Sequence, residues 1–225
     1  MATAFINLKN AISQVKNPDV KIFFIGFNKC GTTSFHRLLS KSGIKSAHWR
    51  FKKHSLVSDR PNRLLSSEYR YLALEMDCAQ ATNDLREFCK AFTAFSDIFY
   101  FSETVQLEKI LDFEAMHEAF PKSYFILNDR NEDNWIKSRL NHRGGDLIRR
   151  AMAFSRKSER EVVDQWRETR QVHYQNVRSF FAEKKQFLHF DIERDHITKF
   201  CKFVSPHFDI DEASWGNENK TRDSK

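Results

Sequence analysis

The 225-residue chain is 40% hydrophobic and carries 22 phenylalanines, enough for one domain with a full core, which excludes a disordered chain. Its 37 lysines and arginines against 30 acidic residues leave a formal charge of +7, which favours anionic ligands of any kind. Cys30, Cys78, Cys89 and Cys201 form no CxxC pair and no metal-ligand spacing, which excludes a zinc site and a disulfide framework and leaves reduced thiols as the simplest state.

Residues 1–20 lack a basic start followed by an apolar stretch, and no run of about 18 apolar residues occurs, so a soluble, cytoplasmic protein without a membrane span is expected. Phe5, Leu8, Ile12 and Val15 recur at helical spacing and predict an amphipathic N-terminal helix within 1–20, broken by Asn17-Pro18-Asp19. The apolar run Ile22 to Ile25 then predicts a buried parallel strand, Gly26 to Gly31 a tight loop, and Thr32 to Leu39 the first turns of a helix. A helix N-terminus leaves its first amides unpaired and carries partial positive charge, so this order of elements makes an anion site.

The spacing of Gly26, Gly31 and Thr33 resembles the nucleotide-binding loop GxxxxGK[ST]. Thr32 stands where that motif needs lysine, and the lysine, Lys29, lies inside the loop. The resulting KxGTTS pattern resembles the sulfotransferases. The wording GFNKCGTTSFH followed by HW looks like the bacterial branch of that family. The resemblance implies that Asn28, Lys29, Cys30, Gly31, Thr32, Thr33 and Ser34 grip the 5'-phosphosulfate of 3'-phosphoadenosine 5'-phosphosulfate (PAPS), without a metal. Beside a lysine in a positive loop, Cys30 is either an acidified thiol or a small loop-filling residue.

Gly43 falls where a helix C-cap belongs, and IKSAHWRFKKH returns toward the loop as a short strand or extended segment. The family resemblance places a base on such a segment, which makes His48 the leading catalytic base; a histidine with a pKa near about 6.5 suits that task. Residues 50–63 are basic and form either an acceptor-binding lid or a solvated loop. Helices are predicted over 64–76 and 83–94. The run AFTAFSDIFYF, residues 91–101, mixes aromatics with Asp97 at a predicted strand end, where it serves as base, as orienter of His48, or as a cap. A further helix is predicted over 105–119.

SYFILNDRNEDNWIKSRL, residues 123–140, reads strand, turn, helix, with Arg130 just past the strand and Ser138 on the helix. It resembles the family's signature for the ribose 3'-phosphate, and a planar guanidinium can grip two phosphate oxygens at once. The segment 139–145 reads as a mobile, basic turn, and 149–160 as a basic stretch that either recognises an acidic acceptor or forms a solvated helix face. Val162 to Phe181 keep a helical period in which His173 is structural; 187–191 predict a late strand and 197–204 a helix. The tail 214–225 is polar, with Asn219, Lys220 and Arg222 as further nucleotide contacts if it is not simply frayed.

Strands alternating with helices predict a single α/β domain over 1–225, a three-layer sandwich with a mostly parallel central sheet of about four or five strands and the P-loop type of fold. The family resemblance implies transfer of a sulfuryl group from PAPS to a hydroxyl or amine of a small-molecule, carbohydrate or lipid acceptor, releasing adenosine 3',5'-bisphosphate. Lys29 would stabilise the leaving phosphate, His48 or Asp97 would take the proton, and neither metal nor nucleic acid is expected. Two other readings stand beside it: a P-loop kinase-like phosphotransferase using ATP and magnesium, and a non-catalytic polyanion-binding protein.

Overall fold

The alternation of Ile22, Phe23, Phe24 and Ile25 decides which layer each side chain joins. In the computed structural model, which describes residues 19–52 and 69–216, Ile22–Phe24 is the central strand β1. Successive side chains on a strand point to opposite faces. Ile22 and Phe24 accordingly pack with Phe35, Leu38, Phe200 and Val204 on one face, and Phe23 and Ile25 with Met76, Phe113, Trp135, Trp166 and Val177 on the other. The chain is a three-layer α/β sandwich.

From β1 the chain runs through α1 (Thr32–Lys41), β2 (Ser46–His48), β3 (Arg50–Lys52), β4 (Tyr69–Tyr71), α2 (Leu72–Ala81), α3 (Leu85–Cys89) and β5 (Ala94–Ser96). It continues with β6 (Phe99–Phe101), β7 (Gln106–Glu108), α4 (Phe113–Ala119), β8 (Tyr124–Asp129) and α5 (Glu132–Leu140). The last elements are α6 (Asp146–Ser155), α7 (Glu159–Phe180), β9 (Phe187–Asp191) and α8 (Thr198–Val204). Among the described residues, seven strands form one sheet in the order β4-β3-β2-β5-β1-β8-β9. The five from β2 to β9 are parallel, as the sequence predicts, and β3 and β4 extend the edge antiparallel. Ile22 lies opposite both Ala94 and Tyr124, and His48 opposite Ser96, so the carboxyl ends of β1, β2, β5 and β8 share one edge of the sheet. Ligand crevices of open parallel sheets form at that edge.

Three predicted helices are shorter or different. Within 64–76, Tyr69–Tyr71 is a strand paired with Arg50–Lys52, and the helix begins only at Leu72. Within 83–94 only Leu85–Cys89 is helical, because the apolar run that follows is a buried strand, and a short apolar run has no period to tell the two apart. Within 105–119 the chain pairs Gln106–Glu108 with Phe99–Phe101, makes a 3-10 turn over Lys109–Asp112, and becomes α-helical at Phe113. Tertiary ion pairs pin that segment: Glu108 meets the buried Arg139 at 2.8 Å, and the buried Lys109 bridges Asp77 at 2.8 Å and Asp112 at 2.6 Å.

The long helix α7 opens on a capping box, Ser158 accepting from the Glu161 amide while the Glu161 carboxylate accepts from Ser158. The predicted N-terminal helix, most of the basic segment 50–63, and Asn219, Lys220 and Arg222 lie outside the described residues. Among the described residues no helix is long and apolar enough to cross a membrane.

Candidate active site

The loop between β1 and α1 is built so that its carbonyl groups are used elsewhere. Asn28 O accepts from the Trp135 indole at 3.0 Å, Lys29 O from Arg130 at 3.2 Å, and Cys30 O from the Asn128 side chain at 2.9 Å. In a trans peptide the N–H points opposite to the C=O, so the amides of Lys29, Cys30 and Gly31 turn away from Trp135, Arg130 and Asn128. Lys29 and Gly31 reach this course through positive φ of 69° and 77°. Consecutive amides aimed this way make an anion-binding concavity. Asn128, fully buried near the end of β8, also accepts from the Gly26 amide at 3.0 Å, and so ties both ends of the loop. A Cβ at Gly26 would stand 1.9 Å from Asn128 O, so only glycine fits there.

The loop opens into a cavity of about 1130 Å³. Lys29, Gly31, Thr32, Thr33, Ser34 and Asn28 line it, together with His48, Asp97, Arg130 and Ser138. Of the predicted site residues among the described ones, all but Cys30 are therefore gathered there. Its side chain is fully buried in the core, and burial pushes its thiol up to about 12, so it is a loop-filling residue and not an acidified one. The carboxamide of Asn28 is buried with neither atom hydrogen bonded among the described residues.

At one end of the cavity stand His48, on β2, and Asp97, just past β5. His48 Nε2 lies 3.7 Å from Asp97 Oδ2 and 3.4 Å from the Thr33 hydroxyl, and Thr32 donates to Asp97 Oδ1 at 3.2 Å. The Ser96 hydroxyl sits 3.1 Å from His48 Nδ1 and donates to Ala47 O at 3.5 Å. Ser96 thus engages Nδ1, while Thr33 and Asp97 lie at Nε2, so the two ring nitrogens have separate partners. Asp97 does not orient His48 from the far nitrogen; Ser96 does. Burial, and then the charge of Lys29, lower His48 to about 4, so the imidazole is neutral at pH 7. Burial raises Asp97 to about 7, against the opposing pull of Lys29 and the Thr32 hydroxyl. The two groups thus differ in opposite directions from their ordinary values, which is a mark of acid-base sites.

Lys29 lies 3.3 Å from His142 Nδ1. Burial lowers its pKa, while Asp97 pulls it back up. His142 is itself held at about 4 by burial and then by Lys29, so it accepts from the ammonium. The turn that the sequence reads as merely basic thus places a histidine on the loop lysine. Arg139 is not part of that surface: it is fully buried, with its guanidinium 4.2 Å from the Trp166 ring centroid. Within 149–160 only Arg150 reaches the cavity, held by Asp146 at 3.1 Å and Phe101 O at 3.2 Å; Arg149, Arg156, Lys157 and Arg160 are exposed. His173, buried, bonds Ile25 O at 2.7 Å and is structural as predicted.

At the other end Arg130 follows β8 and Ser138 lies on α5. Asp129, accepting from Arg170 at 2.7 Å and from the Arg130 amide at 2.8 Å, fixes the strand end from which Arg130 projects. Trp49, Tyr71 and Tyr100 form an aromatic wall, with ring centroids 5.8 Å apart for the first pair and 4.7 Å for the second. Lys29, Trp49, Asp97 and Arg143 line the cavity and are four of the six non-glycine residues with positive φ among the described residues. Strained backbone concentrates where side chains must be aimed.

A family model described as a sulfotransferase domain matches residues 21–145, more than half of the chain. The matched segment contains the loop, His48, Asp97, Arg130, Ser138 and His142. No curated protein shows a significant match.

Proposed function

The chain belongs to the sulfotransferase domain family, whose members transfer sulfuryl groups, and on that premise we propose that it uses PAPS as donor and a hydroxyl or amine as acceptor. The observation that carries this reading is the loop whose carbonyls are tied back by Trp135, Arg130 and Asn128, in one cavity with Arg130 and Ser138 at one end and His48 and Asp97 at the other. The loop amides and Lys29 suit the 5'-phosphosulfate, and Arg130 with Ser138 suits the 3'-phosphate. The acceptor then approaches from the side of His48.

In the transfer, the acceptor oxygen or nitrogen forms a bond to sulfur as the bond from sulfur to the bridging phosphate oxygen breaks. The acceptor's proton passes to the pair formed by His48 and Asp97. Lys29 and the loop amides face the oxygen on which negative charge gathers, where fixed donors lower a barrier most. Asp97, with a pKa near the working pH, is the better matched acceptor of the proton. The aromatic wall and Arg143 face the acceptor's side, which suits a small molecule, carbohydrate or lipid headgroup.

Calorimetric titration with adenosine 3',5'-bisphosphate and with ADP, each with and without magnesium, tests the donor. Micromolar binding of the bisphosphate that ignores magnesium, lost in Arg130→Ala, is the expected result. Magnesium-dependent preference for ADP would replace the reading with a kinase-like one.

A further inference from the structure

Where Arg130 lines the cavity, its guanidinium is already paired with a protein carboxylate. Its Nε and Nη2 donate to Glu193 Oε1 at 3.1 and 2.8 Å, the Asn134 side chain donates to the same oxygen at 3.0 Å, and the Asn131 amide donates to Oε2 at 3.1 Å. Asn131 is the N-cap of α5, a nine-residue helix, so the carboxylate also lies at the positive end of a helix dipole. One guanidinium, one helix-terminal amide and one carboxamide converge on a single anion, and that anion belongs to the protein. Burial opposes the charge of Glu193, yet these donors outweigh it and hold the carboxyl below its ordinary range.

We propose that Glu193 is a resident stand-in for the nucleotide's 3'-phosphate, which must displace it from Arg130, Asn131 and Asn134 to bind. The proposal rests on the reading of Arg130 as the 3'-phosphate ligand. A phosphate monoester brings more charge and three acceptor oxygens to the same donors, so it outcompetes a carboxylate. A nucleotide with a free 3'-hydroxyl has nothing to offer Arg130 and leaves Glu193 in place. The carboxylate thereby acts as a specificity filter.

The movement needed is small. Glu193 stands in the turn after β9 with a side chain 29% exposed. The turn's backbone is anchored by the Ile192 amide on Asp129 O at 2.9 Å, and Ile192 packs against Gly31, where an added Cβ would approach its Cγ2 to 2.9 Å. Only the Glu193 side chain has to swing out. Arg130 stays aimed, because its Nη1 is held by Lys29 O.

Glu193→Gln keeps the side chain's shape and one acceptor oxygen, which serves Asn131 or Asn134 but not both, and removes the charge that competes for Arg130. Titration of wild type and variant with adenosine 3',5'-bisphosphate and adenosine 5'-phosphate should show the bisphosphate binding roughly twofold to fivefold tighter in the variant, the worth of a partly exposed charged pair, with the monophosphate unchanged. Equal tightening of both ligands, or no change in the bisphosphate, would overturn the filter while leaving the donor assignment intact. Absence of bisphosphate binding in both proteins would remove the donor assignment and the filter together.

Discussion

His48 and Asp97 divide one task unequally. With Nδ1 engaged by Ser96, the imidazole turns Nε2 toward Asp97, yet a group at about 4 is a weak base at pH 7. Asp97 at about 7 is half ionised there and gains its charge across the range in which the reaction would run. The rate kcat/KM should therefore rise with pH through a limb near 7. Asp97→Asn should abolish that limb and lower the rate by about a hundredfold or more, the usual worth of a general base. His48→Gln should keep the limb at a reduced rate. A limb that survives in Asp97→Asn would assign the proton to another group. Lys29 lowers both groups, so Lys29→Met should move the same limb to higher pH.

The elements carry the anion site through bonds that sequence motifs do not display. Asn128 is a polar residue in the apolar run of β8, and its two side-chain atoms serve Gly26 N–H and Cys30 C=O, 98 or more residues away along the chain. Replacing it by alanine leaves both backbone groups buried and unpaired, at about 1 to 3 kcal/mol each. Asn128→Ala should thus lose roughly 2 to 6 kcal/mol in urea unfolding and should weaken bisphosphate binding as well; unchanged stability would mean that the loop holds its shape unaided. The legible part of the site follows the same logic. Glycine, lysine and hydroxyl spacing within one loop, and Arg130 beside its own strand, are local patterns, and the structure brings those residues together. Ser96, Asn128, His142 and Glu193 act on residues from distant segments, and only the strand order supplies their partners. The misread stretch 105–119 belongs to the same class, since Leu107, Ile110 and Leu111 suit a helix and Arg139, far along the chain, claims Glu108.

The whole molecule's response to acid follows from its buried histidines. Burial holds His36, His48, His142 and His173 each at about 4. Between pH 4 and the ordinary histidine value of 6.5 each is neutral in the folded chain and protonated in the unfolded one, so the stability they contribute is present above 6.5 and lost as pH falls through 4. Asp97 acts in the opposite sense. Raised from 3.8 to about 7, it keeps its proton in the folded chain where the unfolded chain has lost it, so its contribution is present below 3.8 and lost as pH rises through 7. At pH 5, unfolding takes up protons at the histidines and releases about one at Asp97, for a net uptake of about two to three once the partial exposure of His36 and His142 is discounted. Calorimetric unfolding at pH 5 in buffers of different ionisation heat reads that number directly. Net release would contradict the burial of the histidines. In Asp97→Asn the uptake should grow by about one proton, which links the acid sensitivity of the fold to the same carboxyl that sets the limb near pH 7.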